Sequence, residues 1–354
     1  MNGTQRQVAE DLAALHSATV DSITDSTTLD SASLDRDAHA NFRRLEKHLN
    51  QKVLGQPELI ERLLISLLCD GHLLVEGAPG LAKTTAIKSL AESIEGDDHR
   101  IQFTPDLMPA DLTGSDVFQP EYSNFRFERG PIFHNLVLAD EINRAPAKVQ
   151  SALLEAMAER QVTVGQRSYP LPELFLVMAT QNPIEQDGTY PLPEAQLDRF
   201  LMYVKVGYPP ASIERQVLEL ARNQARNKPA PPFRAIEQET IFEARTQVLD
   251  IHLAPALEEY IAELVIATRD PSPFAPELAE WVEWGASPRG TIAIDRCARA
   301  RAWLAARSYV TPEDIHAVAF DVLRHRVLLS YEARAEGVTS DAFLGRLIEA
   351  VPLP

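Results

Sequence analysis

The sequence predicts an α/β protein: a parallel five-stranded sheet with helices on both faces, followed by a smaller all-helical domain. Three observations carry this. Short apolar runs alternate with helical stretches as far as about residue 208. The strand pattern stops at Tyr208-Pro209-Pro210. Beyond it only helical periodicity remains.

Residues 1–37 are rich in Ser, Thr, Asp and Ala, with acids at 10, 11, 21, 25, 30, 35 and 37 against Arg6 and Arg36 alone. Such a segment buries too little apolar surface to offset its ordering entropy, so a disordered acidic tail is expected. Val8, Leu12 and Leu15 give it one amphipathic turn at most. From residue 38 Phe42, Leu45 and Leu49 recur at helical spacing, and Pro57 opens a helix through Leu68. Five apolar segments then read as buried strands: 73–75, 101–103, 136–139, 174–179 and 201–206. Helices are expected between them at 83–94 and 147–159. After 208 come helices near 212–226, 237–248, 256–269, 288–307 and 312–324, the last opened by Thr311-Pro312-Glu313-Asp314. The expected division is a tail at 1–37, an α/β nucleotide-binding core at 38–208 and a helical lid at 209–354. The segment 161–170 alternates apolar and polar residues around Gly165 and reads as a hairpin.

The first strand runs into Gly77-Ala78-Pro79-Gly80-Leu81-Ala82-Lys83-Thr84-Thr85, and a helix follows. Strand, glycine-rich loop and helix is the order a phosphate-binding loop requires, because loop and helix-start N–H groups point at the anion and the helix dipole favours it. Lys83 is expected at the β/γ-phosphates and the Thr84 hydroxyl on Mg²⁺. Ala82 replaces the usual second glycine, which predicts an unstrained backbone angle there.

Leu136–Ala139 ends in Asp140-Glu141. A strand adjacent to the phosphate loop would set Asp140 near Mg²⁺ and Glu141 near the γ-phosphate, as phosphoryl transfer to water requires. The strand Leu176–Ala179 leads through Thr180 and Gln181 to Asn182, a candidate for holding the attacking water. Arg199 precedes the last strand and is a candidate arginine finger. Arg289 stands in the first turn of a helix, where a cation opposes the helix dipole and so points to a functional reason.

In order and spacing these five elements resemble the AAA+ superfamily, and the stretches Gly77–Thr84, Asp140–Ala145, Ala179–Pro183, Leu197–Phe200 and Ala286–Arg289 resemble the MoxR family. That family carries Ala at the position of Ala82. The resemblance covers residue 38 to the end and implies ATP/ADP with Mg²⁺, Gly55 and Gln56 beside the adenine, and catalytic roles for Glu141, Asn182, Arg199 and Arg289. It implies an ATPase working as a homo-oligomeric ring, a hexamer, that remodels, matures or metal-loads a client beside a von Willebrand factor A domain partner. It also implies a hairpin insertion at 118–127, with Pro120, Tyr122 and Phe125, and makes both hairpins candidates for substrate contact. A magnesium-chelatase-like or gas-vesicle-type motor subunit is the alternative within the class. A nucleotide-gated scaffold with little hydrolysis is the alternative outside it, and intact Glu141 and Arg199 oppose that.

Net charge of -17 disfavours a nucleic-acid partner. No apolar run approaches the ~18 residues needed to span a bilayer, and no secretory start is visible, so a cytoplasmic location is expected. The two cysteines, Cys69 and Cys297, are far apart without CxxC spacing, and read as core residues rather than a staple.

Overall fold

A computed structural model describes residues 38–182, 188–225 and 233–354. The expected tail at 1–37, Pro183 and Arg226 lie outside the described residues. Helix α1 covers 38–52, and the chain continues α2 (Pro57–Leu68), β1 (Leu73–Gly77), α3 (Lys83–Ala91), β2 (Asp98–Gln102) and α4 (Pro109–Thr113). Next come β3 (Gly114–Gln119), β4 (Asn124–Arg129), β5 (Leu136–Asp140), α5 (Ala147–Glu159), β6 (Gln161–Val164) and β7 (Arg167–Pro170). The core closes with β8 (Leu176–Gln181), α6 (Glu194–Leu197) and β9 (Met202–Val206).

The five-stranded sheet has the order β2-β5-β8-β1-β9, and every pairing in it is parallel. The strand carrying Asp140 is not β1's neighbour: β8 lies between them, pairing Leu73 with Met178 on one side and Leu138 with Met178 on the other. The intervening strand is the one that ends beside Asn182, so the polar residue and the acid pair flank each other at one sheet end. Strand side chains alternate between two cores. Leu73, Val75, Leu136, Leu138, Leu176 and Met178 join one cluster, while Leu74, Val137, Ala139, Val177 and Ala179 join the other. Because both faces are covered, these strands are apolar throughout rather than alternating with polar residues.

Helix α7 (Ala211–Ala225) leads into α8 (Gln238–Asp250), α9 (Pro255–Ala267), β10 (Val282–Trp284), α10 (Pro288–Leu304), α11 (Pro312–Leu323), β11 (Leu328–Leu329), α12 (Tyr331–Ala335) and α13 (Ser340–Ala350). The antiparallel pair β10–β11 is an addition that the helical periodicity does not predict. Helix α10 packs against α8, α9, α11 and also α2, so the C-terminal helices share the first of the two cores with the sheet. Arginines fasten them further: Arg324 donates to the Tyr203 carbonyl at 3.0 Å, and Arg326 to that of Phe200 at 2.7 Å. At the start of α11 the Asp314 carboxylate accepts from the Thr311 amide at 2.9 Å and is buried between Arg301 and Arg307, each at 2.6 Å. Both expected hairpins form, β3–β4 and β6–β7, and they touch, with Tyr169 stacked on Phe127 at 4.0 Å between ring centroids.

The two cysteines sit in the core, as expected. Both are buried and unbridged.

Candidate nucleotide site

The loop between β1 and α3 adopts a conformation that its sequence only half announces. Gly80 has φ +85° and Ala82 φ +57°, both left-handed. The unstrained angle expected for Ala82 is therefore corrected: its methyl group sits in a region that disfavours any Cβ by ~1 kcal/mol. The glycine of the general loop pattern is a response to this angle. Helix α3 has no acid in its first turn, so the positive end of its dipole faces the loop without local neutralisation.

Lys83 lies at the first position of α3. Its ammonium donates to the carbonyls of Gly77 and of Gln181, the latter at 3.4 Å. Burial holds its pKa below the ordinary lysine value, while Asp140, Glu141 and Glu76 pull the other way. An ammonium short of solvation binds an incoming anion more strongly than a hydrated one does.

Opposite the loop, Asp140 ends β5. Its carboxylate accepts from the Thr180 hydroxyl at 2.5 Å and from Arg100 at 2.6 and 3.1 Å. Glu141 follows with φ +58°, a second left-handed non-glycine residue. Its amide donates to the Thr180 hydroxyl at 3.0 Å, and its carboxylate faces Gln102 at 2.8 Å and Arg144 at 3.1 Å. Thr180 thus ties β8 to both acids. Asn182, 8% exposed, stands just beyond the end of β8.

These groups converge on one cavity of about 620 Å³, lined by Pro79 to Thr85, Arg100, Asp140, Glu141, Thr180 and Asn182. Gly77 and Ala78 lie behind it at the end of β1. Its other wall is Lys52, Leu54, Gln56, Tyr208, Pro209 and residues of α7. Gln56 donates to the Gly207 carbonyl at 3.0 Å. Gly55 has φ +77°, and a Cβ there would come within 2.6 Å of Ile213, so the bend into α2 and the start of α7 require a glycine. Thr84 and Asp140 offer the hard oxygen donors that Mg²⁺ prefers, and no group of three or more His, Cys, Asp or Glu side chains among the described residues forms a metal cage. That is the sparse donor set of a cation shared with phosphates.

Arg199 and Arg289 are not part of this cavity. They line a separate concavity of about 330 Å³ with Asp198, Arg160, Arg296 and Arg326. Arg199 donates to the Leu154 carbonyl at 2.6 Å, and Arg289 lies 3.7 Å from Asp198. The Ser287 hydroxyl caps α10, accepting from the Arg289 amide at 3.2 Å and donating to Asp198 at 3.1 Å. Asp198 in turn is held by Arg326 at 2.8 Å.

Arg100 and Gln102 are the residues that reading the sequence misses. They flank the buried Ile101 on β2, and that polar-apolar-polar alternation places both on one face of an edge strand. Thr180 was legible as a strand-end residue but not as the link between the two acids.

Fold and site together define the AAA class of P-loop proteins. Residues 72–202 match the ATPase family associated with various cellular activities (AAA), and residues 278–347 match the AAA lid domain. The chain is 44% identical to Chaperone MoxR1 of Mycobacterium tuberculosis, over 85% of this chain and 79% of that protein. It is 37% identical to Protein MoxR of Paracoccus denitrificans, over 90% of this chain and 98% of that one. A crystal structure of a provisionally assigned ATPase from Cytophaga hutchinsonii superposes with a TM-score of 0.85 at 43% identity, covering 92% of this chain and 99% of the other. The chain belongs to the MoxR family of AAA+ ATPases. No helix among the described residues is long and apolar enough to cross a membrane.

Proposed function

We propose that the protein hydrolyses ATP in a homo-oligomeric ring, with each site shared between two subunits, and uses the cycle to remodel a partner protein. The observation that carries this reading is the separation of two half-sites. Lys83, Asp140, Glu141 and Asn182 face one cavity, and Arg199 and Arg289 face another. A phosphoryl-transfer site needs positive charge on the leaving phosphates in the transition state. Two arginines outside their own subunit's cavity fit that need only by reaching a neighbour's.

In this reading the loop amides and Lys83 hold the phosphates, and the adenine lies toward Leu54, Gln56 and Tyr208. Thr84 and Asp140 would hold Mg²⁺, which supplies charge neutralisation at the phosphates when bound. Glu141 takes the proton of the attacking water, and Asn182 orients that water. Arg100 balances the Asp140 carboxylate from the edge strand. The hairpin β3–β4 presents Phe118, Phe125 and Tyr122 at 50, 66 and 71% exposure, an apolar tip suited to gripping a protein chain. A client, and a von Willebrand factor A domain partner beside it, belong to this proposal.

ATP turnover measured against protein concentration tests it. Shared sites require specific activity to rise with concentration as rings form. Specific activity that stays constant down to concentrations where only monomer is present contradicts the reading. A pull-down with Glu141→Gln, which binds ATP without hydrolysing it, then captures the client.

A further inference from the structure

Asp140 is the carboxylate assigned to the cation, and both of its oxygens already carry hydrogen bonds. The Thr180 hydroxyl donates to Oδ1 at 2.5 Å and itself accepts from the Glu141 amide at 3.0 Å, so its one proton is committed to Asp140. Thr180 is 1% exposed on β8, the strand beside β5, and the sheet fixes it there.

The other oxygen is held differently. Arg100 donates to Oδ2 through Nε at 3.1 Å and Nη2 at 2.6 Å, and Nη2 also donates to Gln102 at 3.1 Å. Arg100 stands on the edge strand β2, in register with Leu138, and its side chain is 56% exposed against 13% for Asp140. It lines the nucleotide cavity together with Thr84, whose hydroxyl is assigned to the same cation. One carboxylate oxygen is thus pinned by a buried hydroxyl, and the other is covered by a charge on a long, solvated arm.

We infer that Arg100 is a positioning residue that keeps the cation's place: its guanidinium neutralises Asp140 in the nucleotide-free subunit and excludes a divalent cation that arrives without phosphates. The inference rests on reading this cavity as the nucleotide site. Arg100 acts on Oδ2 in two ways. It fills lone-pair directions that a metal would use, and it repels a second cation at contact range. An ion pair with one exposed member is weak enough to exchange, which a fully buried pair is not. Phosphates in the cavity offer ligands to the cation and a second anion to Arg100, so nucleotide favours release of Asp140 and a lone cation does not. A pair that only braced β2 against β5 would change the melting temperature and leave metal affinity alone.

The nucleotide-stripped full chain is titrated with Mn²⁺, which stands in for Mg²⁺ and whose free form is counted by electron paramagnetic resonance. Arg100→Met and Arg100→Gln, checked for folding by their melting curves, are expected to bind one Mn²⁺ per subunit at least about tenfold more tightly than wild type, the effect of a unit charge at contact discounted for its exposure. Adding Asp140→Asn to either should remove the gain. Arg100→Lys keeps the charge and should stay closer to wild type than to Arg100→Met. Neutral variants that bind Mn²⁺ no better than wild type overturn the inference, as does a gain that survives Asp140→Asn or that Arg100→Lys shows in full. Binding of a fluorescent ADP, measured with Mg²⁺ and with EDTA, separates this from the nucleotide reading. Wild type that binds no ADP in either condition contradicts the nucleotide site, and the Mn²⁺ titrations still decide what Arg100 does at Asp140.

Discussion

The two concavities of this molecule handle charge in opposite ways. In the nucleotide cavity the key groups are held by polar neighbours on rigid strands, and two of the backbone angles are strained, at Ala82 and Glu141. In the arginine concavity the lining residues Asp70 and Arg160 are left-handed too, at φ +52° and +54°, and the cations are balanced by two carboxylates: Asp70, paired with Arg160, and Asp198, which takes hydrogen bonds from Ser287 and Arg326 and lies near Arg289. The first region is shaped before any ligand arrives. The second keeps Arg199 and Arg289 exposed, with Arg199 held, among the described residues, through the Leu154 carbonyl. Left-handed angles occur in both regions, so strain does not separate them; what does is that the nucleotide cavity's acids are tied down by polar neighbours, whereas exposed cations stand where a second molecule must still be met.

The comparison is broken most sharply by Arg199→Ala. Turnover should fall by about 10³-fold while nucleotide affinity of the isolated subunit stays within about threefold, because the residue serves another subunit's transition state. Steady-state rates and a titration with a fluorescent nucleotide check this. Affinity lost together with rate would place Arg199 in its own subunit's cavity.

Arg326→Ala comes next. It leaves Asp198 without its best-buried partner, and the side chain it removes is 3% exposed, so unfolding free energy should drop by about 3 kcal/mol in urea melts. A change below 1 kcal/mol would mean that Asp198 is adequately balanced by Arg289 and Ser287 alone.

Acid should weaken the fold through two buried imidazoles. His72 accepts from the Val177 amide at 3.0 Å, and burial lowers its pKa to about 3. His325, against Arg326 and the Phe200 carbonyl, is lowered for the same reason. Their folded-state pKa values lie below the unfolded one, so protons favour the unfolded chain. Stability is intact above pH 6.5 and is lost as pH falls below it, by up to about 1.4 kcal/mol per pH unit for each imidazole. Melts between pH 7 and 5 test this, and His72→Gln should flatten part of the slope.

The smallest effect sharpens the strain argument. Ala82→Gly relieves the left-handed angle but loosens the unfolded chain, so stability should rise by no more than about 1 kcal/mol. Clear destabilisation would show that the Ala82 methyl group packs to more effect than its angle costs.

Much of the architecture was legible because the central strands β1, β5 and β8 are covered on both faces and therefore stand out as apolar runs, whereas the edge strand β2 is largely polar and exposed. Strand order was not legible: nothing in Leu136–Ala139 says that β8 intervenes before β1. The pair β10–β11 escaped because three residues and two residues are too few to show a period. Helix α13 was missed although Thr339 caps it, accepting from the Ala342 amide at 3.1 Å. In the site, the loop and acid pair announce their chemistry through residue type and spacing. Arg100 and Gln102 act through a sheet edge whose neighbour only the fold reveals.

The central claim is that catalysis needs both concavities from different subunits. Mixing Glu141→Gln with Arg199→Ala tests it most directly, since a mixed ring contains interfaces where intact Glu141 meets a neighbour's intact Arg199. Shared sites predict that the mixture hydrolyses ATP faster than either variant alone. A mixture no faster than the average of the two, under conditions where subunits exchange, contradicts the account.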